Sequence, residues 1–323
     1  MTNSHPKIGL IGVGKWGRIL AEKLITAGAE IAAHDRRTDV PMPDRFGVRM
    51  PWREILNEKK VDAIVAATPP DVTAEIYTVC QDERIPCLLT KPLIEVDWNI
   101  ARTTTYVDLV HLHSPLWLAT KRLIGSRNIR KVTAVSSGMG PDRGFPGSID
   151  YGPHAVSLIL DALNITPSGI EQEKSILSLH PRGGETLWAS MNVFGTEASF
   201  TASSCGARLT VFSAFLTSGH EISYMEQDRR AYVLIDGTVV VSDLHHDPLA
   251  RCVENFLCDA VAERRFALPN LHYLKMSCHA SQILVRARDQ ALRTGETSPS
   301  AAHETAAAVS GSDLPLGQER LPP

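Results

Sequence analysis

Apolar residues fall into short unbroken runs in the first third of the chain and into alternating runs further on. Lys7-Ile-Gly-Leu-Ile-Gly12, Ile31-Ala-Ala-His-Asp35, Val61-Asp-Ala-Ile-Val-Ala-Ala67 and Pro86-Cys-Leu-Leu-Thr90 each end at glycine or at polar or proline-containing sequence. Runs of this kind predict strands buried on both faces of a parallel sheet. Between them, Ile19, Leu20, Leu24 and Ile25 recur at helical spacing from Gly17 to Ala27, and Gly28 is a natural stop. Trp52 to Lys59 and Val72 to Cys80 read as further helices. Strand and helix in alternation predict a doubly wound α/β domain.

The pattern changes after residue 125. Ile129–Ser137 alternates as a strand with one exposed face, and Tyr151–Leu163 is helical. Strand-like runs follow at Glu173–Leu179, Thr186–Phe194, Ser199–Ala202, Arg208–Ala214, Glu221–Met225, Ala231–Ile235 and Thr238–Val241. Turn residues such as Arg182-Gly183-Gly184 and Asp236-Gly237 separate them, which predicts a mostly antiparallel sheet. Helices over about 248–264 and 270–293 come next, and 295–323 is rich in Ser, Ala, Gly and Pro without periodicity, as in a disordered tail. The expected organisation is a parallel α/β domain over 1–122, an α+β domain over 123–295 and a tail over 296–323.

Length supports two domains: 323 residues exceed the usual size of one. A net charge of -3 gives no electrostatic reason to expect nucleic acid or an anionic membrane as partner. No apolar window is long enough to span a bilayer, and the first residues carry no secretion-type apolar stretch. Six cysteines (80, 87, 205, 252, 258 and 278) contain no C-x-x-C pair and fit no common zinc template. They read as reduced thiols in a cytoplasmic protein, with no metal expected.

Gly12-Val13-Gly14-Lys15-Trp16-Gly17 is a G-x-G-x-x-G sequence lying directly between a predicted strand and a predicted helix. In that context Gly12 permits a tight turn, Gly14 lets the backbone approach a pyrophosphate closely, and Gly17 lets helix and strand pack together. The phosphates then meet free amides at a helix N-terminus. Asp35 ends the next strand, where an acidic side chain binds the ribose hydroxyls of NAD; Arg36 and Arg37 beside it suit the 2′-phosphate of NADP. The expectation is a Rossmann domain using NAD or NADP, with NAD favoured by Asp35.

Four segments in order resemble the glucose–fructose oxidoreductase/inositol dehydrogenase (Gfo/Idh/MocA) family. They are the glycine turn, Val61–Pro70 with its Thr68-Pro69 ending, Thr90-Lys91-Pro92-Leu93, and Asp150-Tyr-Gly152-Pro-His154. The resemblance spans about 6–295. It implies hydride transfer between nicotinamide and a carbinol or keto carbon, with Lys91, Asp150 and His154 as catalytic candidates. It also implies cofactor contacts from Gly12, Val13, Gly14, Lys15, Trp16, Gly17, Asp35, Arg36, Thr68, Pro69 and Lys91, and a Lys91–Pro92 bond that is often cis. His154 is the stronger general-base candidate because imidazole titrates near neutrality, and Asp150, four residues earlier on the same helical face, orients substrate or His154. Thr90 stands where the family usually has glutamate, and Thr73 where it often has histidine.

Val107–Pro115 is similar, at Asp108, Ser114 and Pro115, to a stretch of the nucleotide-sugar branch. The resemblance makes it a strand near the nicotinamide, on which His111 and His113 share one face. Asp142 and Arg143 are candidates for contact with substrate hydroxyls. A sugar, sugar-nucleotide or cyclitol substrate is therefore expected; a C=N reductase and a non-catalytic dinucleotide sensor are the alternatives on the same scaffold. Leu209–Leu216 is apolar enough to need a cover, so a homodimer or homotetramer is expected.

Overall fold

The computed structural model describes residues 5–34, 51–57, 61–125, 128–139, 145–165, 170–180, 184–262 and 269–295. The first sheet contains β1 (Lys7–Ile11), β2 (Glu30–His34), β3 (Ala63–Ala66), β4 (Cys87–Leu89) and β5 (Thr105–Val107). Its order is β2-β1-β3-β4-β5, and every pairing is parallel. The helices between these strands are α1 (Lys15–Thr26), α2 (Trp52–Asn57) and α3 (Pro70–Asp82).

Alternate residues of the parallel strands serve two cores, which is why these strands read as continuous apolar runs. Leu10, Ala63 and Val65 pack with Leu20 and Leu24 of α1, and with Cys252, Val253 and Phe256 of the late helix α6 (Pro248–Phe256). Ile11, Ile64 and Ala66 pack on the opposite side with Ile55, Ile76 and Tyr77. That second core continues without a break into the rest of the molecule.

The second sheet has eight strands: β6 (Ile129–Ser137), β7 (Ile170–Leu179), β8 (Glu185–Val193), β9 (Thr196–Ser203), β10 (Leu209–Leu216), β11 (Glu221–Gln227), β12 (Arg230–Ile235) and β13 (Thr238–Asp243). Its order is β13-β12-β11-β10-β6-β9-β8-β7, with β6–β9 as its parallel pair and every other pairing antiparallel. One face carries α4 (Pro115–Ile124), α5 (Gly147–Leu163) and α7 (Pro269–Thr294). Phe200, Phe212 and Tyr224 from that face are fully buried, as is Trp117 of α4.

Three elements differ from the sequence-based expectations. Helix α5 begins at Gly147, four residues before Tyr151, because Glu185 of β8 supplies the cap that Pro146 lacks. The Glu185 carboxylate accepts from the Ser148 amide at 3.1 Å and from its hydroxyl, and Arg288 of α7 pairs with it at 3.1 Å. Regular α-helix ends at Phe256 and passes into a π-helical turn over Leu257–Ala262. The expected strand through Val107–Pro115 stops at Val107, and Val110–His113 is a short 3-10 helix. Ser114 forces that turn by capping α4, accepting from the Leu116 and Trp117 amides at 3.2 Å each, with Pro115 at the first helical position.

All six cysteines are free thiols. No helix among the described residues is long and apolar enough to cross a membrane. Asp35, Arg36, Arg37, Asp142, Arg143 and the tail from 296 lie outside the described residues.

Candidate active site

The carboxyl ends of β1 and β3 flank the point where the strand order reverses, the usual ligand crevice of an open α/β sheet. Gly12 leaves β1 with φ +90°, and a Cβ there would sit 2.2 Å from the Ala67 carbonyl oxygen. At Gly17 a Cβ would lie 1.9 Å from the Gly12 carbonyl oxygen. Both glycines are thus required by backbone contact, and they bring the start of α1 hard against the strand ends. Gly14 caps α1 in extended conformation with no side-chain acceptor. The first-turn amides of a helix have no intrahelical partner, so this end suits an anion. Thr68 and Pro69 lead into α3 next to it, with Thr68 Oγ1 2.8 Å from Thr73 Oγ1. A dinucleotide pyrophosphate fits this cradle.

Lys91 follows the end of β4, and its peptide bond to Pro92 is cis. Its ammonium donates to Asp150 Oδ1 at 2.7 Å and to the Asp150 carbonyl at 2.6 Å. Both side chains are almost fully buried, at 8% and 6% exposure. Asp150 therefore holds Lys91, where the sequence suggested that it orients substrate or His154. Asp150 and His154 share one face of α5, while Gly152 between them faces away: a Cβ at 152 would lie 2.2 Å from Leu284 Cδ2 of α7. The D-x-G-x-H spacing thus joins two chemical groups on one side to a close helix crossing on the other.

His154 Nδ1 is buried with no hydrogen-bond partner among the described residues. Burial, then the charges of Lys91 and His111, push the His154 pKa well below that of free imidazole, and the exposed Arg208 adds to this. His154 is accordingly a neutral ring at pH 7, not the near-neutral titrating group that its residue type suggested.

His111 and His113 do not share a face. Residues two apart in a 3-10 helix point about 120° apart. His111 is buried, 4.7 Å from His154 between ring centroids and nearly perpendicular to it. Its Nδ1 lies 2.8 Å from Glu226 Oε2 and its Nε2 3.2 Å from Thr210 Oγ1. His113 instead stacks on Tyr106 at 6.0 Å and lies 3.4 Å from Asn255 Nδ2.

Two residues to which the motifs gave no role complete the surroundings. Asp108, fully buried, accepts from the Lys91 amide at 2.7 Å and from Trp16 Nε1 at 2.8 Å. Glu226 of β11 bridges His111 and His246, with Tyr224 donating to it at 3.1 Å. Alternation along β11 places Glu226 on the inner face, an inward acid among apolar neighbours, and that is the sequence signal that marks it.

Burial works against the Glu226 carboxylate, but His111 and His246 outweigh it and hold its pKa well below the ordinary 4.5. A depressed native pKa contributes stability that is present above the unfolded value and lost as pH falls through the native one. Glu226→Gln is thus expected to lower stability at pH 7 by about 1–3 kcal/mol and to leave a shallower loss below pH 4.5. Urea melts between pH 3 and 7 check this, and an acid limb as steep as that of the wild type contradicts it.

No protein-family model matches the chain, and no curated protein matches it. Solved structures do. A levoglucosan dehydrogenase in complex with NADH and levoglucosan is 14% identical, with a TM-score of 0.71 over 90% of this chain and 98% of its own. The UDP-N-acetylglucosamine 3-dehydrogenase GnnA from Acidithiobacillus ferrooxidans is 19% identical, with a TM-score of 0.65 over 88% and 96%. A 3-ketoreductase from Actinomadura kijaniata, in complex with NADP and TDP-benzene, is 16% identical, with a TM-score of 0.63 over 88% and 98%. The chain has the two-domain fold of these oxidoreductases. This is the fold that the Gfo/Idh/MocA resemblance implied, a parallel Rossmann-type sheet beside a mostly antiparallel one. Lys91, after the end of β4 in the first sheet, bonds Asp150 of α5, the helix packed on the second sheet, and His154 lies one turn further along that helix. No group of three or more His, Cys, Asp or Glu among the described residues is arranged to hold a metal ion.

Proposed function

We propose that the protein is an NAD(P)-dependent oxidoreductase acting on a hydroxyl or keto carbon of a sugar, sugar-nucleotide or cyclitol. The observation that carries this is a buried ammonium held by Asp150, with His154 one helical turn on along the same face of α5. Asp150 takes two of the three Lys91 N–H bonds among the described residues. The third is available for a substrate oxygen, and the partly exposed ring of His154 lies one turn further along the same face of α5. In the oxidative direction, neutral His154 accepts the hydroxyl proton while Lys91 stabilises the oxygen as negative charge builds on it. A bound nicotinamide supplies the hydride acceptor in this direction and the donor in reverse. The glycine turn, Val13, Lys15, Trp16, Thr68 and Pro69 hold the cofactor. Asp35 makes NAD the preferred form, although the neighbours include both an NADH and an NADP complex.

The outer face of the second sheet supports a homo-oligomer. Register aligns the apolar residues Ile176, Trp188, Val135, Val211, Met225 and Tyr232 in one transverse row across it, with Thr201 between Trp188 and Val135. All six are half-buried, and none belongs to either core. Within β10, Phe212 and Ala214 turn inward while Val211 and Phe215 remain on this face. A second copy laid on the face covers the row. The free thiols fit a cytoplasmic setting.

The test is a fluorescence titration of purified protein with NADH and NADPH, then turnover on a panel of sugars, nucleotide sugars and cyclitols, with light scattering for mass. Saturable binding and turnover of at least one member are expected. Binding without any turnover favours a dinucleotide sensor, and no binding of either nucleotide at millimolar concentration rejects the proposal.

A further inference from the structure

We propose that Asp108 is a positioning residue that ties the first turn of the dinucleotide-binding helix to Lys91, so that cofactor seating and lysine placement depend on one carboxylate. The inference rests on the oxidoreductase reading and adds a residue to which the motifs assigned no role.

The parallel ladder ends where Lys91 begins. The Thr90 amide donates to the Ala66 carbonyl at 3.0 Å, and the Asp108 amide to the Leu89 carbonyl at 3.1 Å. Lys91 is the next residue, and its amide is held by Asp108 Oδ1 at 2.7 Å. From that anchored backbone the lysine side chain reaches Asp150 on α5. The other oxygen of Asp108 accepts the indole N–H of Trp16, second residue of α1 and 92 positions away in sequence. The Trp16 backbone belongs to the turn that receives the pyrophosphate. One buried carboxylate therefore spans the two ends of the proposed site.

The residue type follows from the donors. Both partners present N–H groups, and a carboxylate is the side chain of this size with two acceptor oxygens. An asparagine offers one acceptor and one NH2, so either Trp16 or Lys91 then faces a donor. Burial, with a smaller push from the Asp150 charge, raises the Asp108 pKa above the ordinary carboxylate value, and Lys91 and Trp16 offset this only in part.

The experiment uses the full chain and three variants: Asp108→Asn, Trp16→Phe, and the double variant. Dissociation constants for NADH and NADPH, kcat and KM on the best panel substrate, tryptophan emission and thermal midpoint are measured for each. Asp108→Asn is expected to lower kcat on the order of 10- to 100-fold and to weaken dinucleotide binding while the protein still melts cooperatively. Trp16→Phe, which leaves the Lys91 bond in place, is expected to weaken dinucleotide binding and to lower kcat less. The double variant is expected to be no worse than Asp108→Asn alone, because both changes break one linkage. The emission contributed by Trp16, taken as the difference on adding Trp16→Phe, is expected to change in the Asp108→Asn background.

Wild-type kcat and dinucleotide affinity in Asp108→Asn overturn the proposal, as do losses that multiply in the double variant. If Asp108→Asn does not fold, Trp16→Phe decides: unchanged binding and kcat overturn it. A wild-type protein that binds neither nucleotide rejects the oxidoreductase reading itself, a separate outcome.

Discussion

Lys91→Ala is expected to reduce turnover by about 10²- to 10⁴-fold, with a much smaller effect on dinucleotide affinity. The ammonium is the cation placed to stabilise an oxygen next to His154, and its removal leaves His154 alone with the developing charge. The same change takes the Lys91 ammonium away from the Asp150 side chain, which is 6% exposed. Breaking a buried pair from one side costs about 3–5 kcal/mol, so a stability loss accompanies the loss of rate. The double variant Lys91→Ala/Asp150→Ala separates the two effects. It removes the carboxylate as well and is expected to regain part of the thermal midpoint while turnover stays lost. Recovery of turnover in the double variant, or full turnover in the single one, contradicts the role given to Lys91. Steady-state kinetics beside thermal melts of both variants provide the comparison. Lys91→Arg is not expected to rescue, because the larger planar guanidinium does not occupy the almost fully buried place of the compact ammonium.

Gly17→Ala is expected to have the second largest effect, and on binding. The added Cβ would lie 1.9 Å from the Gly12 carbonyl oxygen and 3.0 Å from its carbon. These are backbone atoms of the turn itself, so no side-chain rotation relieves the contact. Helix α1 must move off β1, and its first-turn amides leave the crevice. Overpacking of this kind costs about 1–3 kcal/mol, which is ~10- to 100-fold in dinucleotide affinity when it falls on the binding arrangement. Calorimetric titration with NADH and NADPH checks it. Unaltered affinity shows that the start of α1 is not where the pyrophosphate rests. Gly195→Ala serves as the control, since a Cβ there meets nothing within 4 Å, although its φ of +85° costs some stability by itself.

Much of this site was legible because its chemistry is local in sequence. The glycine turn needs a strand on one side and a helix on the other, and both are visible as period and punctuation close along the chain. Asp150 and His154 stand four apart on a helix that also needs a glycine, so their spacing survives without knowledge of the rest of the fold. Lys91 is marked by the family resemblance of Thr90-Lys91-Pro92-Leu93, at the end of an apolar run. Other parts were not legible. That Asp150 takes Lys91 instead of His154 depends on a contact across 59 residues. That His154 is depressed below neutrality depends on burial and on His111, which the chain brings beside it through a 3-10 turn. The resemblance suggested a strand there, but the Ser114-Pro115 helix start overrode it.

By itself the sequence determined most of the strands and helices and where the glycine turn lies. These depend on backbone preferences and on hydrophobic period, both set within a few residues; the lysine, aspartate and histidine candidates came from the family resemblance. Only the tertiary structure decided the partners: Asp108 between Trp16 and Lys91, Glu185 capping α5 from another strand, and Glu226 between two histidines. The physical reason is that a buried polar group must find a partner, and the partner is chosen by which strands and helices pack together, not by proximity along the chain.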